Sequence, residues 1–213
     1  MKNSRPPKYA MVIDASKCID CKACTIACKV ENQVPDGFWR NWVRHTGGLH
    51  GRKTHFQPGQ CMQCDVPSCV EACPVQATRK QEDGLVVIDY NKCIGCGNCV
   101  TACPYNARYR NPLRRIADKC DFCRHRLERG EDPACVQTCP TKARTFGDLN
   151  DPSSKVTRLT RSEKLVQVIN PRVNTKPRIY YLSGTPLLAW TVEPTMPGKV
   201  HMPPRFWKNH DGV

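Results

Sequence analysis

Residues 93–104 read Cys-Ile-Gly-Cys-Gly-Asn-Cys-Val-Thr-Ala-Cys-Pro, which is a C-x2-C-x2-C-x3-C-P spacing. Three thiolates in one tight loop can grip three corners of an iron–sulfur cube, while a fourth, displaced by a helical turn, points away toward a second cube. One such run therefore predicts a partner run. Gly95 and Gly97 let the loop bend close and aim N–H groups at the sulfurs, and Pro104 stops the chain after the fourth thiol.

The chain holds sixteen cysteines, and they fall into four quartets with none left over. These are Cys18, Cys21, Cys24 and Cys28; Cys61, Cys64, Cys69 and Cys73; Cys93, Cys96, Cys99 and Cys103; and Cys120, Cys123, Cys135 and Cys139. Each quartet opens C-x2-C and closes with x3-C. Structural zinc uses C-x2-C pairs held a dozen or more residues apart rather than quartets of this kind. A disulfide scaffold does not set thiols two residues apart again and again. The pattern predicts four [4Fe–4S] clusters with all sixteen cysteines as metal ligands.

The same residues exclude most other chemistry. There is no Gly-rich phosphate loop, no G-x-S-x-G and no H-E-x-x-H, and every cysteine is already committed. No catalytic residue is predicted. Clusters with every iron ligated bind no substrate and pass single electrons, at potentials set by hydrogen bonds to sulfur, nearby charge and exposure. The formal charge of +14 first suggests nucleic acid or an acidic membrane surface. Each oxidised cube with four thiolates carries about −2, so four of them leave about +6. Much of the Lys/Arg excess is then expected to neutralise buried clusters, and Arg108, Arg110, Arg114, Arg115, Arg124, Arg126 and Arg129 are candidates for tuning or docking.

Several elements must hold these loops. Residues 1–8 are polar and contain proline, which reads as a flexible arm without an export signal, since no apolar h-region or early Arg-Arg pair is present. No apolar run approaches the 18 residues of a membrane span. Tyr9–Asp14 reads as a strand, and Thr25–Glu31 as a helix carrying Cys28. Lys29 stands where the other quartets have Pro74, Pro104 and Pro140, so this helix can continue past its thiol. Residues 32–60 form an insertion. Its His45, His50 and His55 read as surface or packing residues, and Trp39 and Trp42 as a lid over a cluster or part of an interface.

The second quartet has an expanded loop and a short helix. Ala77–Arg79 and Leu85–Asp89 form a hairpin around Glu82-Asp83-Gly84 that delivers the chain to the third quartet. This strand, loop, helix and hairpin order is a ferredoxin module. The expected fold is α+β: two interleaved ferredoxin-like modules, each with two [4Fe–4S] clusters, the first and fourth quartets building one around the other. The fourth quartet's loop, Arg124–Ala134, contains a short helix at RHRLERG. A strand and turn follow Cys139, Asp151-Pro152 caps a helix running to about Leu165, and residues 178–182 form a last strand. The final thirty residues, with Pro186, Pro194, Pro197, Pro203 and Pro204, have no period and read as an extended arm or as disorder. The boundaries expected are 1–60 for the first motif and insertion, 61–110 for the central module, 111–150 for the fourth motif, and 151–213 for the helix, strand and arm.

KYAMVID before the first quartet, DGLVVID before the third, CPYNARY after it, and the long run from Lys119 to Pro152 together resemble one family. It is the iron–sulfur electron-transfer subunit of the dimethyl sulfoxide reductase superfamily, with the greatest likeness to polysulfide, thiosulfate and tetrathionate reductase subunits and to arsenate- and nitrite-reductase-linked ones. The resemblance covers about residues 8–182. It implies a molybdopterin catalytic subunit as partner, a quinone-reactive membrane subunit or cytochrome as the other, and a role in anaerobic respiration. It also implies that ligands cross between motifs. Cys18, Cys21 and Cys24 would share a cluster with Cys139; Cys61, Cys64 and Cys69 with Cys103; Cys93, Cys96 and Cys99 with Cys73; and Cys120, Cys123 and Cys135 with Cys28. Export as a passenger of its catalytic partner would put the chain on the periplasmic face of the cytoplasmic membrane, with the cytoplasmic face as the alternative. A free polyferredoxin shuttling among partners is the rival function, and a zinc or nucleic-acid module a second rival.

Overall fold

The computed structural model describes residues 5–46, 55–170 and 173–182. Its organising element is strand β1 (Tyr9–Ile13), four of whose five residues are buried. A strand covered on both faces reads as a continuous apolar run, and Tyr-Ala-Met-Val-Ile is one. Successive side chains point to opposite faces. Met11 and Ile13 therefore enter the main core with Cys24, Cys61, Cys103, Cys120 and Cys135, while Ala10 and Val12 face Val156 on the other side.

Both termini of the described chain converge on β1. It pairs antiparallel with β8 (Arg144–Asp148) and parallel with β10 (Ile179–Leu182), which pairs in turn with β9 (Leu165–Gln167), giving the sheet order β8-β1-β10-β9. Helix α6 (Lys155–Ser162) covers the outer face through Val156 and Leu159. Gly147 on β8 permits this close packing, since a Cβ there would lie 3.5 Å from Val156 and collide with Ser154.

The cysteine loops hang from short elements. A 3-10 turn at Ala15–Lys17 leads to the first loop, followed by α1 (Ala23–Glu31). Helices α2 (Ser68–Glu71), α3 (Asn98–Thr101), α4 (Arg124–Leu127) and α5 (Ala134–Gln137) are single turns. Three hairpins space them: β2 (Asn41–Thr46) with β3 (His55–Gln60), β4 (Thr78–Lys80) with β5 (Val86–Ile88), and β6 (Arg108–Arg110) with β7 (Ala117–Lys119). The mixture is α+β. Among the described residues no helix is long and apolar enough to cross a membrane.

Most expected elements are present, and the differences have physical causes. The insertion is a hairpin, tied to the core where Asn41 Nδ2 donates to the Cys24 carbonyl (3.0 Å) and Tyr181 donates to the Pro58 carbonyl (2.8 Å). Trp42 packs against the thiol-rich core, and the Lys29 ammonium sits 4.8 Å from the Trp39 ring centroid. The side chains of His45, His50 and His55 lie outside the described residues. Helix α6 starts at Lys155 because Asp151 spends its carboxylate on the Ser153 N–H (2.8 Å) and hydroxyl (2.7 Å), holding the chain in a turn before Ser154. It ends at Ser162 because Leu165 belongs to β9. Residues 6–8 are anchored rather than free: the Lys8 N–H donates to Asp148 (2.6 Å) and the Pro6 carbonyl accepts from Asn150 (2.7 Å). The proline-rich arm after residue 182 lies outside the described residues.

Ile179 is fully buried opposite Met11 in the parallel pair. Ile179→Ala should lower the unfolding free energy by about 2–5 kcal/mol, measured as a lower urea midpoint by circular dichroism. An unchanged midpoint would remove β10 from the core.

Candidate iron–sulfur cluster sites

The four loops share a backbone plan. In each quartet the residue just before the second cysteine has positive φ: Asp20 (57°), Gln63 (46°), Gly95 (69°) and Phe122 (58°). A left-handed residue there folds the loop back on itself. Only the third quartet uses glycine, and its reason is close approach, because a Cβ on Gly95 would strike the Arg115 carbonyl. The three quartets that end Cys-Pro share a second feature. Gln76, Asn106 and Lys142, three residues after the last cysteine, are also left-handed. That turn aims a backbone N–H back at the sulfur: Thr78 to Cys73 (3.4 Å), Ala107 to Cys103 (3.5 Å) and Ala143 to Cys139 (3.3 Å).

The first quartet departs from this plan, as Lys29 predicts. Helix α1 runs on to Glu31, so the backbone N–H of Asn32 is taken by the Cys28 carbonyl at 3.1 Å. The Asn32 side chain supplies the missing donor, its Nδ2 lying 3.6 Å from both Cys28 Sγ and Cys123 Sγ.

Two concavities are lined by cysteines from different quartets. One is bounded by Cys18, Cys21, Cys24 and Cys139; the other by Cys61, Cys64, Cys69 and Cys103. Cys28, Cys120, Cys123 and Cys135 lie close enough to raise one another's thiol pKa, and α1 packs on α5. Cys69 and Cys99 share a small apolar cluster with Cys93 packed against it, and α2, which ends just before Cys73, packs against α3. No cysteine is engaged in a disulfide.

Buried charge surrounds these thiols. Burial pushes Cys120 far above its ordinary pKa, Cys64 to about 12, and Cys103 and Cys135 to about 11. At Cys73 and Cys139 burial is outweighed by hydrogen-bond donors, and both thiols are lowered. Arg144 and Arg108 are about 95% buried or more. Burial alone would lower their pKa, but Cys135 and Cys24 beside Arg144, and Cys69 and Cys61 beside Arg108, raise it. Arg144 bonds Gln60 and lies 3.8 Å from Cys24 Sγ. Arg108 donates to Thr78 (3.2 Å), yet among the described residues its Nε and Nη2 have no hydrogen-bond partner.

The sequence also has known relatives. Residues 17–77 and 52–149 each match a 4Fe-4S dicluster domain family. A tetrathionate reductase subunit of Salmonella typhimurium is 45% identical over 180 residues, covering 82% of this chain and 72% of that protein. A polysulfide reductase chain of Wolinella succinogenes is 42% identical, covering 81% and 93%. A tetrathionate reductase subunit of Archaeoglobus fulgidus is 47% identical, covering 84% and 83%. The chain belongs to the iron–sulfur subunits of the dimethyl sulfoxide reductase superfamily.

Four [4Fe–4S] clusters are the cofactors of this iron–sulfur subunit. The residues fit that group. Orphaned guanidinium donors on Arg108 border a concavity lined by four thiols, and inorganic sulfide and thiolate are the acceptors that would satisfy them. Of the seven basic residues singled out from sequence, only Arg108 reaches the thiols. Arg124 pairs with Glu128, Arg126 with Glu31 and Glu131, and Arg129 with Glu131, while Arg110 bonds the Arg115 carbonyl and Arg114 lies over Tyr90. Arg144, Arg40, Lys119 and Asn32 were missed. A repeated C-P-x-x-A-R, at 103–108 and 139–144, carried the signal for Arg144.

Arg144→Gln should lower one cluster's reduction potential by about 60–130 mV in an EPR-monitored redox titration. The range converts about 1.5–3 kcal/mol for a charged hydrogen bond at 59 mV per tenfold. Four unmoved potentials would deny Arg144 an electrostatic role.

Proposed function

We propose that this iron–sulfur electron-transfer subunit carries electrons between a molybdopterin catalytic subunit and a quinone-reactive membrane subunit or cytochrome in anaerobic respiration. Its ligand sets are Cys18, Cys21, Cys24 with Cys139; Cys61, Cys64, Cys69 with Cys103; Cys93, Cys96, Cys99 with Cys73; and Cys120, Cys123, Cys135 with Cys28. On this reading the first and fourth quartets form one ferredoxin-like module interleaved with the central one, the segments dividing near residues 60, 110 and 150. The clusters supply one-electron transfer at irons with no open coordination position.

The observation that carries the reading is the distribution of exposure along the thiols. Cys24 and Cys135 are in electrostatic contact, as are Cys120 and Cys61, and then Cys61 and Cys69; Cys69 and Cys99 share an apolar cluster. Only Cys21 and Cys96 are exposed. These belong to the first and last sets of that run, so the protein insulates the middle and leaves an edge of each end open. Ile19 (59%) and Ile94 (63%), which precede the two cysteines in C-I-x-C loops, are the exposed apolar neighbours a docked partner would cover. An exposed edge at each end suits a fixed relay between two partners. Relatives named as parts of tetrathionate and polysulfide reductases support a complex of this type. The periplasmic face of the cytoplasmic membrane is the proposed location.

Anaerobic purification through a tag on this chain tests the proposal, with metal analysis and mass spectrometry of what accompanies it. The expected result is about sixteen iron per chain, from four clusters of four iron, and molybdenum or tungsten in a large co-purifying subunit. The same iron with no partner would favour a free polyferredoxin.

A further inference from the structure

Arg40, in the insertion, has a guanidinium 6% exposed that is shared between groups flanking one thiol set. Its Nη1 donates to Asn32 Oδ1 (2.8 Å) and reaches Asp121 (3.5 Å). Its Nη2 pairs with Asp118 (2.7 Å) and reaches Tyr90 Oη (3.3 Å). Asp118 is fixed from its far side by the Tyr109 hydroxyl (2.7 Å), and Tyr109 stacks on Phe38 of the same insertion. Asp121 accepts the Cys123 N–H (3.0 Å). The arginine thus spans from the C-terminal end of α1 to the loop that carries Cys120 and Cys123.

This contact also decides which way the Asn32 amide faces. Arginine can only donate, so the amide oxygen must point at Arg40 and the NH2 group must point at the sulfurs. That NH2 group meets the Cys28 carbonyl (3.0 Å) and the two sulfur atoms. A reversed amide would put an oxygen beside two thiolates and leave Arg40 facing a donor. The first quartet lacks the backbone N–H that its sister quartets aim at their last cysteine, and this side chain takes its place.

We propose that Asn32, oriented by Arg40, is the positioning residue that sets the reduction potential of the cluster held by Cys28, Cys120, Cys123 and Cys135. The inference rests on that proposed ligand set. An N–H donor stabilises the more anionic, reduced form, so its loss lowers the potential. The insertion then has a task of its own: it carries the charge that makes a surface-side amide behave as a fixed dipole.

The test is a potentiometric EPR titration of the tagged full chain with whatever complex it brings, in four variants. Asn32→Asp keeps the shape and puts an acceptor where the donor was. It should move one reduction step downward, by about tenfold in the reduced-to-oxidised ratio at the wild-type midpoint, or 59 mV, and leave the other three. Arg40→Lys keeps the charge but cannot hold Asn32, Asp118 and Tyr90 together, and it should move the same step in the same direction. It also serves where Asn32→Asp does not retain its iron. An Arg40→Lys protein with wild-type potentials overturns the proposal. Cys28→Ser and Cys123→Ser check the ligand set separately. If they alter two different EPR signals the set has failed. If they alter one and Asn32→Asp leaves that signal's midpoint in place, only the role of Asn32 has failed.

Discussion

Burying sulfur that must carry negative charge is the constraint on which this molecule depends. A thiol in an apolar core keeps its proton, as the raised pKa values of Cys64, Cys103 and Cys135 indicate. As cluster ligands these sulfurs would be thiolates, and the chain must then solvate their negative charge. It does so with fixed dipoles and a few fully buried cations. Backbone N–H groups serve Cys73, Cys103 and Cys139, a side-chain amide serves Cys28 and Cys123, and Arg108 and Arg144 lie among the thiols. Lys119, 2% exposed, instead donates to the carbonyls of Val86 and Cys120 and so ties the loop to its neighbour.

These donors work only if the loops that bear them are held still. Single-turn helices and three-residue strands cannot fold alone. Their stability comes from the sheet around β1 and from the shared core, in which Met11, Ile13, Ile179 and Tyr181 are buried in one cluster with Cys24, Cys61, Cys103, Cys120 and Cys135. The fold and the cofactors therefore depend on each other. The sheet orders the loops, and the clusters are expected to staple loops too short to order themselves.

Much of this is written in local sequence. The cysteine spacing gives the loops, the apolar run Tyr9–Ile13 gives the central strand, and Glu82-Asp83-Gly84 gives the hairpin turn. What local reading lacks is whatever tertiary contact decides. Strands β6 and β7, Arg-Tyr-Arg and Ala-Asp-Lys, are charged enough to look like loop, yet Arg108, Asp118 and Lys119 are all buried by partners far away in sequence. Strand β3 contains Pro58 and Gly59 and reads as a break, until its pairing with β2 and its contact with Tyr181 are seen. Arg40 looks like one more surface cation in a basic chain. Its meaning comes from Asp118, Asp121 and Asn32, which no periodicity brings together.

The proposed relay requires the four quartets to form one continuous electronic path rather than separate sites. The most direct measurement is the EPR spectrum of the anaerobically prepared protein as it is reduced stepwise until all clusters are paramagnetic. A continuous path predicts that the later electrons broaden and split the earlier signals, since neighbouring clusters then couple magnetically. Four sharp signals that simply add, with no interaction at full reduction, would contradict it.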